Sequence, residues 1–110
     1  MAKGRKPVHP GKVFKLDVLE PLGLSVTAAA EKMDISRKHL SDFVNEKISC
    51  SIDLSIRIAH ATDTSVASWL NMQTNLDVWN AEQIPRNQLR SIKRLQAPVL
   101  SASAPSQPRR

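Results

Sequence analysis

Apolar residues recur along this chain at intervals of three and four positions, the spacing of helices that pack one face against a core. Alternating apolar and polar runs typical of strands are missing from the sequence, so the pattern predicts an all-α fold. Five helices are predicted, over about residues 10–20, 26–33, 37–45, 52 to 61–63, and 66–81. The first is expected to stop before Pro21, because proline lacks a backbone donor and restricts the residue that precedes it.

The second and third predicted helices are short and are joined by a tight turn. Ser25 and Ser36 precede them and can accept hydrogen bonds from the unpaired N–H groups at a helix start. Ala29 and Ala30 are small, which lets the two helices approach closely, and Asp34 in the turn tolerates left-handed backbone better than most residues. This arrangement is a helix-turn-helix, and it makes DNA the first partner to consider.

A helical wheel of the third helix separates a buried face from an exposed one. With Leu40 at the centre of the buried face, Phe43 and Val44 also point inward. The exposed side and the helix start supply the candidates for base contacts in the major groove, which are Ser36, Arg37, Lys38, Ser41 and Asp42. The candidates for phosphate contacts that fix the register are Thr27, Asn45 and Lys47.

These candidates also have simpler interpretations. Arg37 and Lys38 could form an ordinary solvated helix start, and Ser36 is a cap before it is a contact. Asp42 either accepts a hydrogen bond from a cytosine amino group or pairs with Lys38 four residues earlier. Both interpretations of Asp42 stay open at this point.

The fifth helix carries a long apolar stripe of Trp69, Met72, Leu76 and Trp79. Its C-terminal half, Leu76 and Trp79, is the candidate interface of a two-fold homodimer, with burial inside one chain as the alternative. A dimer would hold two recognition helices about one DNA turn apart, roughly 34 Å, as a palindromic operator requires.

Positive charge is concentrated at the two ends of the chain. The net charge of the 110 residues is +6, made up of +5 over residues 1–15, −4 over 16–81 and +5 over 82–110. We therefore divide the chain into a flexible basic arm (1–8), the helix-turn-helix domain (9–82), a basic extension with a helical pattern (83–95) and a disordered tail (96–110). The basic ends would attract phosphates, an acidic protein or RNA.

Other functional classes find little support in the sequence. The single cysteine, Cys50, cannot form an internal disulfide, which indicates a reducing, cytoplasmic setting. No apolar run approaches the roughly 20 residues that span a bilayer, so no membrane association is expected. His9, His39 and His60 lack metal-ligand spacing, and there is no glycine-rich phosphate loop. We therefore expect neither an enzyme nor a cofactor.

Several short motifs closely resemble those of HigA-type antitoxins, which carry a phage-repressor-like (Xre-type) helix-turn-helix. The motifs span about residues 9–82 and are His9-Pro10-Gly11, Leu19-Glu20-Pro21-Leu22-Gly23-Leu24-Ser25, Ile35-Ser36-Arg37, Asn45-Glu46-Lys47 and Trp69-Leu70-Asn71-Met72-Gln73. The resemblance implies a five-helix domain that acts as a homodimer, represses its own toxin–antitoxin operon and neutralises a HigB-type toxin, an mRNA-cleaving RNase of the RelE class. It also places the family's recognition positions on Ser36, Arg37, Lys38 and Ser41.

The chain departs from the family pattern at three positions near the expected DNA side. Val26 stands where such proteins often have glutamine, and Asp34 and Glu46 stand where glycine is usual. These changes should leave the fold intact and weaken operator binding, since they remove a polar contact and add two acids. Two other functions therefore remain in view, namely a protein-interaction module such as a toxin inhibitor or adaptor, and an orphan Xre-type repressor without a toxin.

Overall fold

The computed structural model describes residues 4–95, and all regular secondary structure within them is helical. The prediction of an all-α fold with five main helices is confirmed. We number them α1 (residues 10–22), α2 (Val26–Met33), α3 (Arg37–Val44), α4 (Ile52–Thr62) and α5 (Val66–Glu82). None of these helices has the length and apolar content needed to cross a bilayer.

Helix α1 extends past the proline that was expected to end it. It consists of an α-helical start (Pro10–Phe14), a π-helical turn (Lys15–Leu19) and a final turn (Glu20–Leu22). Proline normally clashes with the carbonyl four residues earlier, but the wider π-helical turn before Pro21 accommodates the ring. The helix ends instead at Gly23, whose φ of +65° lets the chain leave in a left-handed conformation.

Serine side chains start the four helices that follow α1. In each case the hydroxyl oxygen accepts a hydrogen bond from the backbone N–H three residues later, at 3.0 or 3.1 Å. The four caps are Ser25, Ser36, Ser51 and Ser65. Each satisfies a donor that the helix cannot pair internally, so the helix starts are encoded locally in the sequence.

The motif His9-Pro10-Gly11 builds the junction between α1 and α3. His9 caps α1, because its Nδ1 accepts the N–H of Gly11 at 2.8 Å, and its ring lies 5.9 Å from the ring of Phe43. Gly11 itself packs on the last turn of α3, so closely that a Cβ atom there would lie 1.8 Å from the carbonyl oxygen of Phe43. Only glycine permits this approach.

Aromatic side chains continue from this junction into the core. The ring of Phe14 lies 6.2 Å from that of Phe43 and 6.1 Å from that of Trp69, which links α1 to both α3 and α5. The indole N–H of Trp69 donates to the hydroxyl oxygen of Thr64 at 2.8 Å, so its polar atom is satisfied. Leu40, Leu54 and Ile58 fill the remaining centre of the core.

Three helices end on non-glycine residues with left-handed backbone. Asp34, Glu46 and Asp63 have φ values of 57°, 63° and 58° and follow α2, α3 and α4. At each, the next residue donates its N–H back into the helix end, as Lys47 does to the carbonyl of Asp42 at 2.8 Å. Asp34 and Glu46 are the two positions where the family resemblance expects glycine, and their backbone shows why glycine suits them.

The chain beyond α5 differs from its prediction. The basic extension over 83–95 has a helical pattern, but the regular structure in it is limited to a short 3₁₀ turn (Arg86–Leu89). Leu89, Ile92 and Leu95 are all exposed, so no apolar face is packed that could stabilise a longer helix. The expected tail at 96–110, like the first three residues of the arm, lies outside the described residues.

The close packing at Gly11 gives a stability prediction. Gly11→Ala should destabilise the fold by about 1–3 kcal/mol, because the added methyl forces α1 away from α3. Urea denaturation followed by circular dichroism measures the effect. The control is Lys12→Ala, which truncates the adjacent exposed residue and should leave the midpoint nearly unchanged. Equal midpoints for both variants and the parent chain would contradict the close approach.

The left-handed end of α3 gives a prediction of opposite sign. Glu46→Gly should stabilise the protein by about 1 kcal/mol, because a side chain in this conformation costs roughly 1–2 kcal/mol and glycine gives back part of that in backbone entropy. For a domain of this size the melting temperature should rise by about 4–8 °C. Glu46→Ala removes the same carboxylate but keeps a Cβ, so an equal rise in that variant would refute the backbone explanation.

Candidate nucleic-acid interface

Helix α3 lies in the orientation that the helical wheel predicted. Leu40, Phe43 and Val44 are buried in the core, and the opposite face is open. On the open side, Arg37 and Lys38 are exposed, while Ser41 and Asp42 are half-buried. The candidate base-reading residues therefore share one accessible surface, which we call the α3 face (Arg37, Lys38, Ser41 and Asp42).

Ser36 stands at the edge of the α3 face and acts as its cap. Its hydroxyl oxygen accepts the backbone N–H of His39 at 3.0 Å, while the residue itself is exposed. The hydroxyl hydrogen is still available to a ligand after this bond is made. A capping role and a contact role are thus compatible for Ser36.

A local ion pair occupies part of the α3 face. The ammonium of Lys38 donates to the carboxylate of Asp42 at 2.9 Å. This hydrogen bond is the main cause that lowers the pKa of Asp42, which therefore stays ionised at neutral pH. Of the two interpretations of Asp42, the free chain adopts the pair with Lys38. Among residues 4–95 Arg37 forms no ion pair, so its guanidinium is free to bind.

The three candidate phosphate contacts lie at the ends of the helix-turn-helix. Thr27 is exposed in the first turn of α2, and Asn45 and Lys47 are exposed in the loop after α3. The Asn45 side chain donates to the carbonyl oxygen of Ser41 at 2.9 Å, an acceptor that also takes the backbone N–H of Asn45 at 3.0 Å, so Asn45 is bound twice to the last turn of α3. Asn45 thereby rigidifies the segment that presents Lys47.

Arg57 on α4 supports the helix-turn-helix from behind, and sequence reasoning did not single it out. Its guanidinium donates to the carbonyl oxygens of Met33 and Asp34 at 2.9 and 3.0 Å, which are the last residue of α2 and the turn residue. It also pairs with Asp53 at 2.8 Å, an interaction that raises its pKa. No local pattern reveals the bonds to Met33 and Asp34, because these residues are more than 20 positions away from Arg57.

Gln73 on α5 holds the loop that follows α3. Its side-chain oxygen accepts the backbone N–H of Cys50 at 2.8 Å, and its amide donates to Asp77 at 2.9 Å. Gln73 is buried, so its bond to the N–H of Cys50 is shielded from competing water. Burial also raises the pKa of the Cys50 thiol to about 11, which keeps it protonated and unreactive at neutral pH. The only sequence signal for Gln73 was its place in the Trp-Leu-Asn-Met-Gln motif.

The C-terminal half of α5 is less open than the sequence suggested. Leu76 is only 5 % exposed within a single chain, so of the two alternatives for this residue the structure shows burial inside one chain. It lines a small pocket with residues 6–9 of the N-terminal segment, which runs along α5 instead of extending away from it. Trp79 is half-buried, with the ammonium of Lys6 5.7 Å from its ring centroid. Of the two stripe residues, Trp79 alone keeps surface for a partner.

Comparison with known proteins now identifies the family. A sequence model described as Helix-turn-helix matches residues 17–69, which include all of α2, α3 and α4. The antitoxin HigA-1 of Vibrio cholerae is 30% identical over 91 residues, covering 83% of this chain and 86% of that protein. The chain belongs to the helix-turn-helix family that includes the HigA antitoxins. The resemblance inferred from the motifs is confirmed.

Solved structures of this family share the fold. The Pseudomonas aeruginosa antitoxin HigA, described with the higBA promoter, has a TM-score of 0.72 and 28% identity, covering 82% of this chain and 99% of that chain. The antitoxin GraA in complex with its operator has a TM-score of 0.73 and 28% identity, covering 88% of this chain and 99% of that one. The shared helix-turn-helix fold therefore extends across nearly all of both antitoxins.

The hydrogen bonds that Arg57 donates to the turn after α2 give a stability prediction. Arg57→Ala should lower the melting temperature, because the carbonyl oxygens of Met33 and Asp34 lose their donor. Asp53→Asn is the matched control, since it removes the exposed ion pair but leaves those two bonds, and such pairs contribute little to stability. Thermal denaturation at neutral pH should show a larger drop for Arg57→Ala. A drop of the same size in both variants would assign the effect to the ion pair.

Proposed function

We propose that this protein is a sequence-specific DNA-binding repressor and the antitoxin of a HigBA-type toxin–antitoxin module. It would act by binding, without catalysis, in the cytoplasm where its operon lies. The observation that carries the proposal is the open α3 face, which begins at the capped residue Ser36 and is held by the buried side chains of Leu40 and Phe43. Family members described with promoter or operator DNA support it.

In this proposal α3 enters the major groove with its N-terminal end leading. Arg37 reads a guanine through its O6 and N7 acceptors, because its guanidinium is exposed and free of an acidic partner in the described part of the chain. Lys38 must exchange Asp42 for a base or a phosphate. Asp42 is then released to accept from a cytosine amino group, and Ser36 and Ser41 add hydroxyl contacts at the edges.

Phosphate contacts at both ends would fix the register of α3. Thr27 lies at the start of α2, and Asn45 and Lys47 lie just past the end of α3, so the three bracket the reading surface. Backbone contacts of this kind orient the protein and carry no sequence information themselves.

A homodimer would bind the two halves of a palindromic operator. Trp79 is the proposed contact, since it retains an exposed surface late in α5. Leu76 could join that contact only if the N-terminal segment moved away from it. The proposed toxin partner is a HigB-type RNase, and the net charge of −4 over residues 16–81 supports contact with a basic protein of that kind.

Two substitutions separate base reading from phosphate contact. Arg37→Ala should weaken binding to the DNA upstream of this gene by about 10- to 100-fold, with little effect on random duplex, because a lost bidentate base contact costs about 1–3 kcal/mol. Lys47→Ala should weaken both DNAs by a similar factor. Fluorescence anisotropy with the two labelled duplexes measures this. Equal losses on both DNAs for Arg37→Ala would show that Arg37 does not read sequence.

The antitoxin role is tested by adding the product of the neighbouring gene to the same binding assay. A ternary complex on the upstream DNA, together with loss of the neighbour's RNase activity, is the expected result. Inhibition of the RNase without specific DNA binding would instead indicate a protein-interaction module. Specific DNA binding without any effect on the neighbour would indicate an orphan repressor.

A further inference from the structure

The N-terminal segment carries a concentration of positive charge that the helix-turn-helix does not explain. Residues 1–15 contain five basic residues and no acidic one. In the described part of this stretch, Arg5, Lys6 and Lys12 are all exposed. The place where the fold puts these charges decides which ligand they can attract.

The fold places this charge beside the loop that follows α3. His9 and Gly11 pack against Phe43 in the last turn of α3, so the start of α1 lies at that end of the recognition helix. Lys6 and Lys12 line one small pocket, of about 370 Å³, together with Glu46. Glu46 is the residue between Asn45 and Lys47, which are two of the three proposed phosphate contacts.

Internal contacts account for only part of this arrangement. Lys6 lies over the ring of Trp79 at 5.7 Å, which is an exposed and weak cation–π contact. Within residues 4–95, Lys12 makes no ion pair shorter than 4 Å, and Glu46 makes none either. Two lysines and one glutamate therefore line the same solvent-open pocket, which leaves an excess of positive charge there.

The backbone of α1 does not compete for an anion at this place. The N–H of Gly11 is bound to the ring of His9, and those of Lys12 and Val13 are bound to its carbonyl oxygen. An anion near the start of α1 would thus be attracted by side-chain charge and not by free N–H groups. Lysine carries its charge on a long, flexible side chain, so it can reach a phosphate without a fixed geometry.

We propose that Lys6 and Lys12 form, with Lys47, a phosphate-binding edge that contacts the sugar–phosphate backbone beside the groove entered by α3. This inference rests on the proposed DNA-binding function and extends it from the helix-turn-helix to the N-terminal segment. The edge adds affinity without sequence preference. It offsets the acids at positions 34, 42 and 46, which otherwise repel the duplex near α3.

The test measures how DNA binding depends on salt. The full chain and the double variant Lys6→Ala/Lys12→Ala are titrated by fluorescence anisotropy against the upstream DNA and a random duplex at several NaCl concentrations. Each lost phosphate contact should reduce the slope of log affinity against log salt by about 0.9, so the double variant should lose about 1.8. The ratio of affinities for the two DNAs should stay the same.

Two control variants separate a direct phosphate contact from the effect of overall charge, and melting temperatures exclude a loss of folding. Arg86→Ala/Arg90→Ala removes the same number of charges from the exposed extension after α5 and should leave the slope unchanged. Lys6→Arg/Lys12→Arg keeps the charges and should keep the slope. Melting temperatures of all variants are compared, since Lys6 touches Trp79.

The outcomes are distinct. An unchanged slope in the Lys6→Ala/Lys12→Ala variant overturns the edge, and an equal slope loss in the Arg86→Ala/Arg90→Ala variant assigns the effect to overall charge and overturns it too. If the unmodified chain binds both DNAs equally, the proposed repressor function fails. The slopes on random duplex still decide whether the edge exists.

Discussion

The contact between the backbone of α1 and the last turn of α3 is the constraint on which the rest of this structure depends. At Gly11 the backbones of the two helices approach so closely that no side chain fits between them. This contact fixes the angle of α3 and turns its polar side outward, while the rings of Phe14 and Phe43 lock the same pair of helices from within. The same contact positions the basic N-terminal segment at the end of α3.

The helix-turn-helix is held by residues that never face its proposed ligand. Arg57 reaches from α4 to the carbonyl oxygens at the end of α2, and Gln73 reaches from α5 to the loop after α3. Base-reading side chains must be held within a fraction of an ångström to discriminate bases, and supports of this kind restrict their motion. The reading surface is therefore a property of the whole domain and not of α2 and α3 alone.

Electrostatics and backbone strain act together at two of the three departures from the family pattern. Asp34 and Glu46 both have left-handed backbone and both carry negative charge near the reading surface. Each departure thus carries two costs, since a side chain is strained where glycine would be relaxed and a carboxylate lies where phosphates would approach. The excess of cations in the N-terminal segment lies beside one of these two acids, Glu46. The uneven distribution of charge along the chain is thus partly balanced in the folded protein.

Much of the fold was readable from the sequence because its signals are local. Serine caps, apolar spacing and the polar face of α3 depend on residues within one or two turns, so they predicted the start of four helices and the orientation of Leu40, Phe43 and Val44. The predicted end of α1 was wrong, because a π-helical turn accommodates Pro21. The helical pattern of the extension over 83–95 gives only a 3₁₀ turn, because within the described residues its apolar side chains stay exposed.

The sequence by itself determined the helix-turn-helix, its candidate contacts and the family. Only the tertiary structure decided that Leu76 is buried and shares a pocket with the N-terminal segment, that Arg57 and Gln73 support the site, and that Lys6 and Lys12 lie beside the loop after α3. The physical reason is distance along the chain. Local hydrogen bonds and amphipathic spacing act between near neighbours, whereas these contacts join residues more than 20 positions apart and arise only when the helices pack.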